Sequence, residues 1–410
     1  MRFRSAPYWY DRFPTRRRPS FPRQRGDLKT RVVIIGGGMA GCACACALAS
    51  SRVGVVLVEA EQIGAGATAA STGIVREDFD VSFEETAAAH GLRAARTMWK
   101  SMHRAALELP AALRRLRIRC DLEPQDLLTV APPDRLLARH LRREYESRKA
   151  AGLDHRWINK SATVREAAVE TSGAIKTWAE VLDPYRACIG LAGAAASRGA
   201  SLFERSPVKS IRAGRKAVEV RTAGGSIAAD IVVVATGAPL ADLRQLRRHL
   251  EPRRAYSVVT APLPAPVRRE VGRRATLLRD SASPSHFVRW LHEDRVLVSG
   301  ADHAPVAARA EPQTLVQRTG QLMYELSLLY PAISGTQPEW SSACAYEATS
   351  DGLPYIGTHR NFPRHFFALG LARHGAGAAW LAARLLARHV AEDPAKGDEL
   401  FGFARILAGH

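Results

Sequence analysis

The chain has few cysteines and few acidic residues for its 410 residues, and it has no long apolar run. Its six cysteines follow neither the spacing of a disulfide framework nor that of a metal site, and C-x-x-C is absent. No apolar stretch reaches the roughly 18 residues that span a bilayer, and no apolar segment precedes residue 31. These absences predict a soluble protein without a signal peptide or a metal, in a reducing compartment, the cytoplasm.

The shortage of acidic residues leaves a large positive charge. Lysine and arginine total 59 against 40 aspartates and glutamates, which gives a net charge of +19. One interpretation is an arginine-rich surface that aids solubility or attracts anionic substrates. The other is binding to nucleic acid or to an anionic membrane. No basic motif interleaved with aromatic residues accompanies the charge, which favours the first interpretation.

The stretch from residue 31 to residue 50 has the pattern of a dinucleotide-binding turn. A short buried strand, VVII, runs directly into Gly36, Gly38 and Gly41, and an alanine- and cysteine-rich helix follows. Glycines at this spacing permit the tight turn, the approach of a pyrophosphate and close packing of the helix on the sheet. A second apolar strand ends at Glu59, where an acidic side chain is expected to bind ribose hydroxyls.

Three later segments are also predicted to place backbone atoms close to a ligand. The loop over residues 62–75 is rich in small residues and hydroxyls, and it follows the ribose-binding acid directly. A buried strand over residues 229–239 ends in Ala235-Thr236-Gly237, at the sheet edge where α/β proteins bind ligands. Gly375-Ala376-Gly377 opens the last helix, whose first amides can face an anionic or polar group.

In this order, these segments resemble the D-amino-acid oxidase, glycine oxidase and sarcosine oxidase family of flavoproteins, over residues 31 to about 391. Further matching motifs are LDPYR, SPV before ADIVVVATGAP, and T-x-D-G-L-P-Y-I-G at Thr349–Gly357. The resemblance implies FAD rather than NAD, and oxidation of a C–N bond by hydride transfer to flavin N5. It implies an α/β fold in which a Rossmann-like three-layer FAD-binding domain is interrupted by a substrate domain with a mixed or antiparallel sheet.

The expected domain organisation follows from this resemblance. Residues 28–95, 183–245 and 341–391 are predicted to form the FAD-binding domain, residues 96–182 and 246–340 the substrate domain, and residues 392–410 a C-terminal tail. Residues 1–27 form a basic arm that is either disordered or packs Tyr8, Trp9 and Tyr10 on the body. Apolar spacing over residues 83–116 predicts one long helix.

By the resemblance, the expected FAD contacts come from the glycine turn, the ribose-binding acid, the small-residue loop, the adenine side and the last helix. The residues expected to bind the cofactor are Gly36, Gly38, Met39, Ala40, Gly41, Glu59, Ala60, Gly66, Ala67, Thr68, Ser71, Thr72, Gly73, Val208, Ala235, Thr236, Gly237, Cys344, Gly375, Ala376 and Gly377.

The chain departs from the family pattern where the substrate is held. Amino-acid oxidases of the family often place a carboxylate-binding arginine just before the T-x-D motif, where this chain has Tyr346-Glu347-Ala348. Arg289 is the candidate replacement, because a guanidinium binds carboxylates in a bidentate fashion, but a solvated strand arginine is the alternative. Tyr346 is expected to offer a hydroxyl to the substrate or to belong to the core. His374 is expected near the flavin or in packing.

Two positions bear on how the flavin is held and reoxidised. Cys344 matches a sarcosine-oxidase position that binds the flavin covalently; non-covalent FAD is favoured here, with the link through Cys344 as the alternative. Val298 stands where that branch has an oxygen-activating lysine, so the acceptor is oxygen or another electron carrier. The expected substrate is a small amine or amino acid. The alternatives are an amine on a modified tRNA base and a flavin-binding protein that has lost catalysis.

Overall fold

The computed structural model describes residues 3–131 and 134–408 of the chain. Within those ranges the strands, in chain order, are β1 (Arg4–Ser5), β2 (Leu28–Ile35), β3 (Val55–Val58), β4 (Ile74–Arg76), β5 (Glu123–Val130), β6 (Arg156–Asn159), β7 (Gly173–Val181), β8 (Ser201–Phe203), β9 (Ser210–Ala213), β10 (Val218–Arg221), β11 (Ser226–Gly237), β12 (Leu250–Thr260), β13 (Thr276–Asp280), β14 (Phe287–Leu291), β15 (Arg295–His303), β16 (Pro338–Thr349), β17 (Tyr355–His359) and β18 (Phe362–Leu369).

The α-helices of the same ranges alternate with these strands in the first half of the chain and are sparser in the second. They are α1 (Tyr8–Arg12), α2 (Met39–Ser50), α3 (Phe83–His90), α4 (Leu92–Arg115), α5 (Arg135–Ala150), α6 (Lys160–Ala167), α7 (Pro184–Ala196), α8 (Ala265–Glu270), α9 (Glu311–Leu329) and α10 (Gly375–Val390).

A sheet with a parallel centre carries the dinucleotide-binding turn. Strands β18, β11, β2, β3 and β8 lie side by side and parallel, and β17 pairs antiparallel with β18 at one edge. Side chains of β2 alternate between faces: Val32 and Ile34 pack on a helical layer, and Val33 and Ile35 pack on the side of β9 and β10. Because both faces are covered, the strand is apolar throughout its second half. This is the predicted three-layer α/β arrangement.

A larger mixed sheet forms the second domain. Its strand order is β1-β16-β12-β15-β14-β13-β5-β7-β4, with β6 paired to β7. Most neighbours are antiparallel, in agreement with the mixed or antiparallel sheet predicted outside the FAD-binding domain. One face packs on α9, through Leu322, Met323 and Leu326, and the other side faces the first domain.

Two strands join the large sheet from segments predicted to lie in the FAD-binding domain. β4 falls within residues 28–95 and pairs with β7, and most of β16 falls within residues 341–391 and pairs with β12. Their backbone hydrogen bonds make both strands part of the large sheet. Segments predicted for the FAD-binding domain therefore also contribute strands to the second sheet.

The N-terminal arm packs on the body rather than extending into solvent. β1 pairs with β16, and Tyr8 and Trp9 are buried in an aromatic cluster with Trp340. Trp9 Nε1 donates a hydrogen bond to the carbonyl of Ser71 at 2.8 Å. The arm thus contacts both the large sheet and the small-residue loop. Of the two predictions for the arm, disorder or packing on the body, the structure shows packing.

The long helix predicted over residues 83–116 is two helices. Gly91 separates α3 from α4 with φ of 81°, a conformation that ends a helix and that glycine adopts without steric cost. Both helices bury apolar faces, so the helical spacing of apolar residues continues across Gly91. This spacing alone therefore does not reveal the break between α3 and α4. No helix of the described ranges is long and apolar enough to cross a bilayer.

Candidate active site

The glycine turn after β2 is built by close backbone packing. Gly36 has φ of 107°, and a Cβ there would lie 2.6 Å from the carbonyl oxygen of Ala235. A Cβ on Gly41 would lie 1.9 Å from the oxygen of Gly36. Both positions therefore require glycine: the first lets β2 turn beside β11, and the second lets α2 rest on the turn. Gly38, the N-cap residue of α2, has no side chain with which to cap the helix.

The side chains around this turn are fixed by hydrogen bonds to it. Glu59, directly after β3, accepts from the amide of Gly37 at 2.6 Å through Oε2 and from the amide of Glu61 at 2.9 Å through Oε1. The hydroxyl of Thr68 accepts from the amide of Met39 at 2.9 Å. The small-residue loop is thus tied to the helix N-terminus, and the carboxylate of Glu59 is held at the end of its strand.

An elongated cavity of about 550 Å³ runs from this turn to the interface with the large sheet. Its volume is within the range of small-molecule and cofactor sites. The structure brings most of the predicted residues to its wall: Gly36, Gly38, Met39, Ala40, Glu59, Ala60, Gly66, Ala67, Thr68, Ser71, Thr72, Val208, Ala235, Thr236, Gly237, Cys344, Tyr346, Gly375 and Ala376. Gly41, Gly73, Gly377, Arg289 and His374 do not line it.

The placement of Arg289 corrects its expected role as a carboxylate-binding residue. Its Nη1 donates to the carbonyls of Thr72 at 2.7 Å and Gly73 at 3.1 Å, and lies 3.4 Å from that of Leu182. The side chain is 6% exposed, and burial lowers the pKa of its guanidinium to about 10. Arg289 shares a strand face with the cavity-lining Phe287, but it lies beneath the loop and holds backbone instead of substrate.

His374 is also a packing residue rather than a wall of the cavity. Its Nδ1 accepts from the amide of Asp80 at 3.2 Å, and its ring packs edge-on against Phe79. Burial lowers the pKa of this histidine to about 4, with Asp80 opposing the effect and Arg76 and Arg373 adding to it. The imidazole of His374 is therefore hydrogen-bonded behind the wall and does not line the cavity.

Arg373 and Tyr346 stand at the substrate end of the cavity and share one carboxylate. The Tyr346 hydroxyl donates to Asp302 Oδ2 at 2.6 Å, and Arg373 Nη1 donates to Asp302 Oδ1 at 3.3 Å. Arg373 Nε donates to Asp80 Oδ2 at 3.0 Å. Burial disfavours the charge of Arg373, but Asp80 and Asp302 outweigh it and raise its pKa. Arg373 therefore carries a permanent positive charge beside the first turn of α10.

Several cavity residues escaped the sequence reasoning. Arg373 is not one of them, because the sequence places it at the turn that opens α10, directly before the predicted glycines, and the structure places it in the cavity wall. Asp302, which lies just behind the wall, has no local signal, because only the pairing of β15 brings it to Tyr346. The wall at this end also contains Arg76, Ala255, Tyr256, Phe287, Ser299 and Leu371.

The surroundings of Cys344 bear on how a flavin would be held. Cys344 lines the cavity, with its Sγ 3.8 Å from the carbonyl oxygen of Ala67. Burial raises the pKa of its thiol to about 11, so the thiolate is scarce at neutral pH. Because the thiolate is the reactive form of cysteine, the site favours non-covalent binding over a link through Cys344.

The cavity fits a dinucleotide at one end and a polar small molecule at the other. Glycines approach the place for a pyrophosphate, the N-termini of α2 and α10 both open on the cavity, and a carboxylate stands at the end of β3. Apolar walls with a few fixed polar groups are the usual character of such sites. No cluster of potential metal ligands occurs among the described side chains.

Comparison with known proteins agrees with this geometry. Residues 31–389 match the family model DAO, described as FAD dependent oxidoreductase. Glycine oxidase of Geobacillus kaustophilus is 28% identical over 84% of this chain and 88% of the relative. Gamma-glutamylputrescine oxidoreductase of Escherichia coli is 25% identical over 90% of this chain and 85% of the relative.

A solved structure confirms the fold. The crystal structure of the Geobacillus kaustophilus glycine oxidase superimposes with a TM-score of 0.75 at 24% identity, over 92% of this chain and 98% of that one. The family match covers both domains and all four backbone segments of the cavity wall. The chain therefore belongs to the DAO family of FAD-dependent oxidoreductases.

Proposed function

We propose that the protein oxidises the C–N bond of an amine or amino acid, with FAD as the oxidant. The observation that carries the proposal is the continuous cavity that joins the dinucleotide-binding turn to the chamber of Tyr346, Arg373 and Tyr256. The printed names of the relatives support the substrate class, since one is a glycine oxidase and another acts on gamma-glutamylputrescine.

The residues of the wall divide between the parts of the cofactor. Amides at the N-terminus of α2 would meet the pyrophosphate, Glu59 the adenosine ribose, and Val208 and Thr236 the adenine side. The loop with Thr68, Ser71 and Thr72, together with Gly375 and Ala376 at the start of α10, would border the ribityl chain and the flavin ring. When bound, FAD would supply the hydride acceptor for the carbon next to nitrogen, and water would hydrolyse the resulting imine.

The chain itself supplies charge, orientation and exclusion of water. The first amides of α10 open on one end of the chamber, where their partial positive charge would stabilise a reduced, anionic ring. Phe287 and Leu371 provide apolar walls, and Tyr256 and Tyr346 provide fixed hydroxyls. The hydroxyl of Tyr256 lies 3.0 Å from His303 Nε2, and this hydrogen bond fixes the position of the hydroxyl.

Anaerobic reduction tests the proposal. Purified holoprotein is mixed without oxygen with D-amino acids, N-methyl amino acids, opines, proline analogues and simple amines, and flavin absorbance is followed. We expect at least one compound to bleach the flavin, and readmitted air to report, through peroxide, whether oxygen is the acceptor. The Gly41→Ala variant, checked for folding by circular dichroism, serves as the control without bound flavin. Protein that binds flavin but is reduced by none of the compounds would favour loss of catalysis.

One observation favours the second candidate, in which the amine belongs to a modified nucleic-acid base. A groove of about 850 Å³ outside the cavity is lined by six arginines: Arg17, Arg115, Arg117, Arg119, Arg186 and Arg198. In the part of the chain that the structure describes, only Arg186 of these forms an ion pair with a carboxylate. An electrophoretic shift of tRNA that weakens steeply with added salt would support this candidate, and unshifted tRNA at low salt would exclude it.

A further inference from the structure

The hydrogen bond of Tyr346 fixes which polar atom the substrate meets. A phenol has a single proton, and the Tyr346 hydroxyl uses it in the 2.6 Å hydrogen bond that it donates to Asp302 Oδ2. Burial and the nearby carboxylate raise the pKa of Tyr346, so the phenol stays protonated. The oxygen of Tyr346 therefore presents a lone pair to the cavity. An N–H group is its natural partner, whereas a carboxylate oxygen would find no donor there.

Arg373 is similarly committed to the protein. Its Nε donates to Asp80 at 3.0 Å, its Nη1 to Asp302 at 3.3 Å, and its Nη2 to the carbonyl of Ser285 at 2.9 Å. Each of the three guanidinium nitrogens thus already has an acceptor. Three of the five guanidinium N–H donors are used in this way, so a substrate carboxylate would reach only the two that remain, on a cation whose charge is already paired with Asp80 and Asp302.

The charges behind the chamber are balanced. Arg373 belongs to a buried network in which each member contacts an opposite charge, and its members are four arginines, Arg76, Arg148, Arg279 and Arg373, and four carboxylates, Asp78, Asp80, Glu144 and Asp302. The network has no formal net charge. Among the described residues that line the cavity, Arg76 and Arg373 are the cations, and both are inside this network. A substrate carboxylate would enter without an unpaired counter-charge, which is costly in a buried site.

We propose that the substrate is an amine whose reacting carbon carries no carboxylate, and that Asp302 is the positioning residue that sets this preference. Asp302 orients the Tyr346 hydroxyl so that its oxygen accepts from the substrate N–H, and it cancels the charge of Arg373. The inference rests on the proposed function and names the substrate class within it. A neutral amine satisfies Tyr346 and adds no charge to the network.

Matched substrate pairs test the inference on wild-type holoprotein. Each amine is compared with its own α-carboxylated counterpart: dimethylamine with sarcosine, pyrrolidine with both prolines, and benzylamine with both phenylglycines. We expect anaerobic flavin reduction to be at least about tenfold faster with the amine of a pair. Faster reduction by the carboxylated members would overturn the inference while leaving the proposed function intact. Absence of reduction by every compound would contradict the proposed function instead.

Variants examine the two contacts separately and do not depend on turnover. Benzoate binding, read from the flavin absorbance spectrum, should tighten about tenfold in Asp302→Asn, because the network of arginines and carboxylates then has a net positive charge. Tyr346→Phe should weaken benzylamine binding about tenfold and leave benzoate binding unchanged.

The control for these variants is Asp294→Asn, which removes the same charge from an exposed ion pair with Arg268 and Arg274. If Asp302→Asn does not fold, the Tyr346→Phe comparison decides alone. Wild-type protein that binds benzoate more tightly than benzylamine would refute the assignment, as would a Tyr346→Phe variant with unchanged benzylamine affinity.

Discussion

Replacing Arg289 by methionine separates a structural role from a substrate-binding one. The guanidinium makes two good hydrogen bonds, to the carbonyls of Thr72 and Gly73 at 2.7 and 3.1 Å. Hydrogen bonds from a charged donor contribute about 1.5 to 3 kcal/mol each, but methionine also removes the cost of burying a cation. We therefore expect Arg289→Met to lower the free energy of unfolding by a net of about 2 to 3 kcal/mol.

The same replacement should loosen the loop that borders the cofactor. Since Thr72 lines the cavity, we expect the Kd for FAD to rise about tenfold, equivalent to about 1.4 kcal/mol. Denaturant unfolding measures the first effect and flavin fluorescence titration measures the second. KM for the substrate, measured at saturating FAD, should stay near the wild-type value.

The opposite pattern would refute this assignment of Arg289. A variant with unchanged stability and unchanged FAD affinity, but a strongly raised KM, would restore the carboxylate-binding role expected from the sequence. Arg274→Met is the matched control, because it removes an arginine whose side chain is 55% exposed and pairs with Asp294. We expect its unfolding free energy to differ from wild type by less than about 1 kcal/mol.

Three further changes have defined outcomes. The pKa of His374 is lowered from 6.5 to about 4, so the unfolded chain binds a proton at a higher pH than the folded chain, and the free energy of unfolding should fall by about 3 kcal/mol between pH 6.5 and pH 4. His374→Asn keeps an acceptor for the Asp80 amide and should flatten this part of a stability–pH profile, whereas an unchanged slope would contradict the assignment. Trp9→Phe removes the 2.8 Å hydrogen bond to Ser71 and should cost about 1 kcal/mol of FAD affinity, measured by flavin titration; equal affinities would show that the arm does not support the loop. Acid precipitation should release the flavin equally from wild-type protein and Cys344→Ser, whereas flavin retained by wild-type protein alone would demonstrate a covalent link.

The sequence by itself determined the parts of the site that backbone geometry demands. Gly36 is necessary because its φ of 107° disfavours a side chain, and Gly41 because a side chain there would collide with the carbonyl oxygen of Gly36. Such requirements are local, so the glycine turn, the acid after β3 and the opening of α10 could be located without the fold. The family match confirms the predicted FAD-dependent family, and the solved glycine oxidase structure confirms the predicted α/β class.

Only the tertiary structure decided what the polar side chains do. Arg289 follows the period of its strand onto the face of Phe287, yet how far it lies from the cavity depends on a loop from another domain. Asp302 follows Ala301, whose φ of 53° interrupts the alternation of β15, so strict alternation from the cavity-lining Ser299 would have placed it on the opposite face. Contacts such as Tyr346–Asp302–Arg373 join distant segments, and their geometry depends on sheet pairing that no local pattern encodes.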